Sequence, residues 1–281
     1  MTDRPGPEPF APGSILWDIA GDVRLLLSLP AALVLQVAHP AVGAGVDDHS
    51  VFRTDPWGRA QRSLGSLQLW VYGGEQAREE GLRLRQLHKG ISGIDTRGRS
   101  YHALAPAYYA WVHATAYPGF LRAARYLSDP LDDAEERRLY DELLRLGDIL
   151  GINRRDMPRT PEEFWPYFDT MVSEELEPTV VVRELLDPRR RIALPPGAPA
   201  LLRLLWPVLR PPLGRLHVFV TIGLLPPVAR AWLGLPWTRR DERRLRRFGA
   251  VVRTLVPLLP ERLRYLPLAY RARRAAGHRA P

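Results

Sequence analysis

The sequence contains no cysteine and a single lysine, Lys89, among 281 residues. Without cysteine the chain forms no disulfide, zinc finger, iron–sulfur cluster or thiolate-ligated haem, and it offers no C-x-x-C-H motif for covalent haem attachment. Any iron or haem bound by this chain therefore needs histidine as its strong ligand. With 46% apolar residues, the chain can still bury a large core.

Long apolar runs are also missing. None reaches the roughly 18–20 residues that a membrane-spanning helix requires. The nearest candidates are Leu25 to Ala38 and Leu216 to Ala229, and Pro226-Pro227 interrupts the second. The first residues, MTDRPGPEPFAPG, lack the basic and then apolar order of a secretory signal. We therefore expect a cytoplasmic protein and leave peripheral membrane contact open.

Several common site patterns are absent as well. The sequence has no H-E-x-x-H, no E-x-x-H pair, no G-x-S-x-G, no G-x-G-x-x-G and no P-loop. Zincin, di-iron, serine hydrolase, Rossmann and NTPase functions therefore lose their main sequence support.

Charge is distributed unevenly along the chain. From Arg203 to the end there are 17 arginines and three acids, a net charge of +14, which leaves about −5 for residues 1–202 when the whole chain carries +9. A solvated arginine-rich surface is the simplest interpretation, and contact with anionic lipid is the next. Because these arginines follow no zinc-finger, RNP or basic-zipper pattern, we expect no nucleic-acid partner.

Apolar residues recur at helical spacing nearly throughout, without alternating strands or internal repeats. The sequence therefore predicts an all-α protein with a single domain over residues 15–275. A flexible segment (1–14) precedes it, a tail (276–281) follows it, and residues 190–275 form its basic, Arg- and Pro-rich helical part. The predicted helices cover residues 25–38, 59–72, 75–91, 106–125, 132–150, 161 onward, 178–187, 198–209, 213–225, 227–234, 238–256 and 261–275.

Chemistry-bearing residues concentrate between Gln36 and Ser63, in the stretch QVAHPAVGAGVDDHSVFRTDPWGRAQRS. It is too rich in glycine and proline to be one regular element. Pro40 biases the residue before it, His39, away from the α conformation, so a helix should end there. The D-P-W-G turn signal starts a new helix, whose first turns carry Arg59, Arg62 and Ser63 and form a natural anion site.

A second candidate site lies on the predicted helix 75–91. Leu84, Leu87, His88 and Ile91 share one stripe, and Glu80 lies opposite. Arg85 and His88 could hold a haem through iron ligation and a propionate ion pair. A lone histidine on an apolar helix face is more often a hydrogen-bonded core residue, so both interpretations stay open at this point.

Four motifs carry a family resemblance: the stretch from Gln36 to Arg59, R-x-x-R-S at 59–63, R-x-x-H at 85–88 and WVHAT at 111–115. Over roughly residues 15–190 the chain resembles the family that joins bacterial latex clearing proteins (rubber oxygenases) with MpaB-type oxygenases. The resemblance implies a globin-like helical core that holds haem b. It also implies oxidation of a hydrophobic small molecule, with isoprenoids as candidates, by dioxygen.

The resemblance also implies roles for individual residues. His88 matches the proximal haem ligand, with Arg85 beside it, and His113 matches a second histidine that supports the pocket. His39 is a further candidate at the pocket edge, although a backbone-bonded helix end explains it as well. The distal element of the family, R-x-x-K-T, which borders the oxygen side, aligns on Arg59, Arg62 and Ser63.

The chain departs from the family pattern at three positions. Arg62 replaces lysine, Ser63 replaces threonine, and Ser92 replaces an arginine after the proximal histidine. Because arginine does not readily lose its proton, we expect no state in which residue 62 caps the iron.

Other residues in the first stretch have simpler roles. A general base would come from Asp47 or Asp48, the local carboxylates, although Asp48 and His49 are as well explained as loop anchors. Arg53 and Asp55 are expected to pair, and Trp57 to anchor the core.

Two other functions remain open on sequence grounds. One is a non-catalytic haem- or lipid-binding helical protein. The other is a helical protein that binds anionic membranes through its basic C-terminal third.

Overall fold

Proline and capping residues set many of the helix boundaries in the computed structural model, which describes residues 8–187 and 193–277. The helices are α1 Ile15–Ile19, α2 Leu29–Ala38, α3 Pro40–His49, α4 Pro56–Tyr72, α5 Gln76–His88, α6 Pro106–Ala114, α7 Ala116–Leu127, α8 Asp133–Leu150, α9 Pro161–Thr170, α10 Val180–Leu185, α11 Ala200–Leu224, α12 Pro227–Trp232, α13 Arg239–Leu255, α14 Glu261–Arg264 and α15 Pro267–Ala275. The all-α prediction is confirmed.

Shorter elements join these helices. Three 3-10 turns cover Val23–Leu27, Arg154–Asp156 and Val256–Leu258, and a π-helical turn covers Met171–Glu175. Strands β1 (Ser92–Ile94) and β2 (Ser100–His102) form a small antiparallel hairpin that the sequence analysis did not predict. Parts of the predicted terminal segments, residues 1–7 and 278–281, lie outside the described residues, as do residues 188–192 of the basic part.

Two helices begin with a capping box. Asp132 accepts from the backbone N–H of Glu135 at the start of α8, and the Glu135 side chain accepts from the N–H of Asp132 in return. Thr238 and Asp241 repeat the arrangement on α13. Each box satisfies two backbone donors that a helix start otherwise leaves free.

Aromatic side chains fill the core between α2, α6, α7, α8 and α9. Trp111 is fully buried and donates its indole N–H to the Leu35 carbonyl at 3.2 Å, which ties α6 to α2. Tyr117 of α7, Tyr140 of α8 and Phe164 of α9 are also fully buried, and their ring centroids lie 4.9–5.7 Å apart. The helices therefore meet through edge-to-face aromatic contacts, which add to the energy of burial.

Three predicted helices are interrupted, each near a proline. Pro30 lacks an N–H and its ring would clash with the Leu26 carbonyl in a continuous helix, so the predicted helix 25–38 becomes a 3-10 turn followed by α2. Pro118 acts on the Ala114 carbonyl in the same way, and the predicted helix 106–125 divides at Thr115 into α6 and α7. The predicted helix 261–275 divides before Pro267 into α14 and α15. All three predictions of continuous helices were wrong.

In α11, by contrast, prolines do not interrupt the helix. The sequence predicted one helix that ends at 209 and another that begins at 213, but α11 runs without interruption through Pro207, Pro211 and Pro212. The carbonyls that these prolines leave without a partner belong to a largely exposed half of the helix, where water can bond them. The cost of each proline is therefore low enough for the helix to continue.

The described residues contain no single helix long and apolar enough to cross a membrane. The pair α2 and α3 reaches that length and apolar content only when taken together, and it is bent by 106° at His39.

The start of α1 is held by a side chain from α8. The Glu142 carboxylate accepts from the backbone N–H groups of Ile15 at 3.0 Å and Leu16 at 2.7 Å. We expect Glu142→Ala to lower the free energy of unfolding by about 1–3 kcal/mol, because two donors lose their partner. Urea unfolding would measure this change. Asp141→Ala, on the exposed side of α8, is the control, and equal effects of the two substitutions would contradict the capping role.

Candidate active site

The helices α4 and α5 form an antiparallel pair that carries most of the residues singled out by the sequence. A two-glycine turn at residues 73–74 joins them. Ser66 Oγ on α4 donates to Glu80 Oε1 on α5 at 2.5 Å and sets the register of the pair. Because the two helices run antiparallel, the first turns of α4, with Arg59, lie at the same end of the pair as His88 on α5, away from the connecting turn.

The buried face of α5 differs from the predicted one. Glu80, predicted on the solvent side, is buried, and its ion pair with Arg83 at 2.5 Å lowers its pKa. Leu87, predicted on the core side, is 57% exposed. The rotation follows from Gly81, where the helix packs against the Ile149 carbonyl so closely that a Cβ atom would lie 2.3 Å from it.

His88 is half-buried at the end of α5. Its Nδ1 lies 2.7 Å from the Leu84 carbonyl oxygen, one turn back on the same helix. A carbonyl can only accept, so Nδ1 carries the proton and the neutral ring keeps its Nε2 lone pair. Within the described residues no group hydrogen-bonds Nε2, and the edge of the ring faces Tyr109 at 6.2 Å between centroids. Nε2 of His88 is therefore available as a ligand atom.

His39 has the opposite tautomer. It is the N-cap of α3, and its Nδ1 accepts from the backbone N–H of Ala41 at 3.2 Å. The proton of the neutral ring therefore lies on Nε2, which cannot then ligate a metal. Burial lowers the pKa of His39 to about 4, and the ring packs on Tyr108. The expected helix-end position is confirmed, and this geometry favours a capping role.

His113 joins two core helices. It is buried, and its Nε2 donates to the Leu143 carbonyl at 2.7 Å, which links α6 to α8. Burial lowers its pKa and keeps the ring neutral. Gly147 makes room for the ring, since a Cβ atom there would lie 3.3 Å from Nε2. His113 thus lies one helical turn beyond Tyr109, the residue that His88 contacts.

Arg85 is bound to the end of α8. Its NH1 group donates to the Gly151 carbonyl at 3.1 Å, at the end of α8, and its guanidinium lies over the Tyr109 ring at 5.6 Å. A cation is favourable at a helix C-terminus. Tyr109 is a site residue that the sequence motifs did not single out. The structure shows that it lies between His88 and Arg85, and its helical spacing to His113 was the available signal.

Among the predicted distal residues Arg59, Arg62 and Ser63, Arg59 carries the charge that is least neutralised. Burial and the neighbouring Arg62 lower its pKa. Its guanidinium donates to the Ser63 hydroxyl, and among the described residues no carboxylate pairs with it. A half-buried guanidinium without a counter-charge is suited to bind an anion or to polarise an oxygen atom.

Arg62 and Ser63 are both occupied. Arg62 pairs with Asp55 at 3.2 Å, and Asp55 also accepts from the Gly58 N–H as the N-cap of α4. Ser63 Oγ donates to the Arg59 carbonyl at 3.1 Å. In this arrangement both residues stabilise the first turns of α4, so Arg59 is the principal donor of the three.

The carboxylates predicted as general bases already have partners. Asp47 accepts from Arg53 at 2.5 Å, and Arg53 also pairs with Glu184 at 2.8 Å. The expected pair of Arg53 with Asp55 is therefore wrong. Asp48 accepts from the Tyr101 hydroxyl at 3.3 Å, which fixes β2 to α3. Each carboxylate has a structural role that a general base would have to give up.

Two remaining expectations concern Trp57 and metal ligands. Trp57 is half-buried and donates its indole N–H to the Ala193 carbonyl at 3.1 Å, so it anchors a later segment onto α4. Within residues 8–187 and 193–277, no three His, Cys, Asp or Glu side chains gather in a geometry that could hold a metal ion.

Comparison with known proteins decides the family. The model of the family described as "ER-bound oxygenase mpaB/B'/Rubber oxygenase, catalytic domain" matches residues 17–254. The chain belongs to this family. It therefore carries an oxygenase-type catalytic domain, and the match extends beyond the predicted limit near residue 190 into the basic C-terminal third.

Two mycobacterial proteins are similar to this member of the MpaB and rubber oxygenase family. They are the uncharacterized proteins Mb2261 of Mycobacterium bovis and Rv2237 of Mycobacterium tuberculosis. Each is 29% identical over 246 residues, which covers 83% of this chain and 90% of the relative. The search of solved structures gave no significant match.

Proposed function

We propose that this protein is a haem b-dependent oxygenase that uses dioxygen to oxidise a hydrophobic small molecule, with isoprenoid compounds as the first candidates. The family provides the reaction class. The observation that carries the cofactor assignment is the tautomer of His88, whose Nδ1 faces the Leu84 carbonyl. A bound haem would supply the iron that activates dioxygen.

The histidines differ in their fitness to hold iron. A haem ligand must be a neutral imidazole with a lone pair on the nitrogen that faces the metal, and the other nitrogen usually donates to a backbone or carboxylate oxygen. His88 meets both conditions. His39 has its lone pair on the capping nitrogen. In His113 the Nε2–H donates to the Leu143 carbonyl, and the remaining nitrogen, Nδ1, belongs to a ring that is buried in the core between α6 and α8. The donor set therefore fits haem with His88 as the ligand.

The surrounding residues would support this role. Arg59 supplies positive charge and hydrogen-bond donors for the oxygen side of the site, where the family pattern aligns it. Tyr109 packs against the His88 ring and donates to the Leu150 carbonyl at 3.3 Å. Arg85 holds Tyr109 from its other side, so it acts as a positioning residue in this proposal.

The test is a visible absorption spectrum of protein produced with haem supplied. We expect a Soret band in the wild type and its loss in His88→Gly. Added imidazole should restore the band in His88→Gly by occupying the space left by the side chain. A purely structural role of His88 would not produce this rescue.

His39→Asn is the matched control, because asparagine keeps the helix cap and the variant should retain the wild-type Soret band. A folded wild type without a Soret band would disprove the haem assignment, and so would an unchanged band in His88→Gly. If haem binds, oxygen uptake that depends on an added isoprenoid would distinguish an oxygenase from a non-catalytic haem protein.

A further inference from the structure

The first half of α11 exposes leucines that a soluble surface normally keeps covered. Leu201 is 67% exposed, Leu204 76% and Val208 74%, and they recur at helical spacing. Leu205, Leu209, Leu213 and Leu216 are exposed as well. Contiguous exposed apolar surface of this kind marks a site of interaction.

A second apolar segment lies between the end of α13 and α14. Leu255 is 55% exposed, Leu258 75% and Leu263 61%, with Val251 and Leu259 also exposed. The 3-10 turn Val23–Leu27 contacts α11, and the residue before it, Asp22, bridges to Tyr265 just after α14. We define the exposed apolar side chains of the two segments together as the apolar face.

Arginines border the apolar face, and Glu261 is the one acid within its second segment. Arg203 and Arg215 are exposed on α11, and the sequence has no acid between Asp187 and Asp241. Beside Leu263, a surface groove of about 330 Å³ is lined by Arg262, Pro267, Tyr270 and Arg271. Two guanidinium groups and a phenol can donate together to a phosphate.

Exposed apolar side chains bordered by arginines fit one class of partner. A second copy of the chain would bring the two arginine-rich rims together, which is unfavourable. Nucleic acid would leave the leucines exposed to water. The surface of an anionic bilayer accepts both groups, because the leucines enter the acyl boundary while arginines remain at the phosphates.

We propose that the apolar face inserts into the surface of an anionic phospholipid bilayer, with Arg262 and Arg271 binding a lipid phosphate. This mode of binding needs no spanning helix. It does not depend on the haem assignment, so either proposal can fail without the other.

The test is co-sedimentation of the full chain with vesicles of phosphatidylcholine alone and of phosphatidylcholine mixed with phosphatidylglycerol. The wild type should bind the mixed vesicles and bind the neutral ones weakly. Leu204→Ser with Val208→Ser should weaken binding more than about tenfold, since two inserted side chains are lost. Arg262→Gln with Arg271→Gln should weaken it by roughly 25-fold, about fivefold for each charge.

Matched controls come from other surfaces of the molecule. Ile94→Ser removes an apolar side chain that is 67% exposed on β1, and Arg78→Gln with Arg155→Gln removes two exposed charges. Both controls should bind mixed vesicles as the wild type does, and circular dichroism should show all variants folded.

Three results would overturn the proposal. Binding that survives Leu204→Ser with Val208→Ser but disappears at high salt would mean charge attraction without insertion. Equal losses in the controls would mean that the effect is not local to the apolar face. A wild type that forms dimers in solution and ignores vesicles would identify a second copy of the chain as the partner.

Discussion

Replacing Phe164 with alanine is expected to lower the free energy of unfolding by about 3–5 kcal/mol. Phe164 has no exposed surface and packs edge-to-face on Tyr117 at 4.9 Å between ring centroids. It also stacks on Phe168 at 5.7 Å. Its removal would leave a cavity where α7, α8 and α9 meet, and neighbouring aromatic rings are too rigid to fill it.

Urea unfolding of wild type and Phe164→Ala would measure this loss as a shift in the midpoint at constant slope. Leu82→Ala is the control, because this leucine is 60% exposed on α5 and its truncation should change stability by less than about 0.5 kcal/mol. If the two variants unfolded at the same urea concentration, the aromatic cluster would not be the centre of the core.

The second large expected effect is a dependence of the free energy of unfolding on pH, caused by His39. Burial lowers its pKa from 6.5 to about 4. Above pH 6.5 the ring is neutral in both the folded and the unfolded chain. As the pH falls from 6.5 to 4, the unfolded chain gains a proton that the folded chain does not, so the folded state loses about 3 kcal/mol of stability.

His39→Asn isolates this contribution. Asparagine keeps an acceptor for the Ala41 N–H but does not titrate, and buried His113 remains in both proteins. Between pH 7 and pH 4 the free energy of unfolding should fall by about 3 kcal/mol more in the wild type than in the variant. Parallel pH profiles, measured by urea unfolding, would show that His39 can be protonated within the folded protein.

Local signals in the sequence predicted many helix ends. The helix predicted over 132–150 matches α8, which Asp132 caps at its start and which ends at Gly151, with φ of +73°. These signals work because capping involves neighbours in the chain. By contrast, α3 was missed because its glycines suggested a loop. Gly43 is needed for packing, since a Cβ atom there would lie 2.6 Å from the Val37 carbonyl.

The candidate site was predictable only where its geometry is local. The hydrogen bond of His88 to the Leu84 carbonyl lies within one helical turn. The R-x-x-H motif at 85–88 identified this histidine. The partner of Arg85 is 66 residues away, at the end of α8, and no local pattern encodes that contact. No local pattern encodes the second partner of Arg53 either, since the guanidinium that binds Asp47 also binds Glu184 from α10.

The contact between the two ends of the domain has a consequence for synthesis on the ribosome. Asp22 pairs with Arg24 nearby, but its second partner, Arg264, follows 242 residues later, and the Leu266 N–H reaches the Gly21 carbonyl at the same place. At about 5–20 residues per second, this interval lasts roughly 12–48 s. The first elements of the nascent chain therefore stay without this contact until residues 264–266 have been made, so this part of the domain folds late.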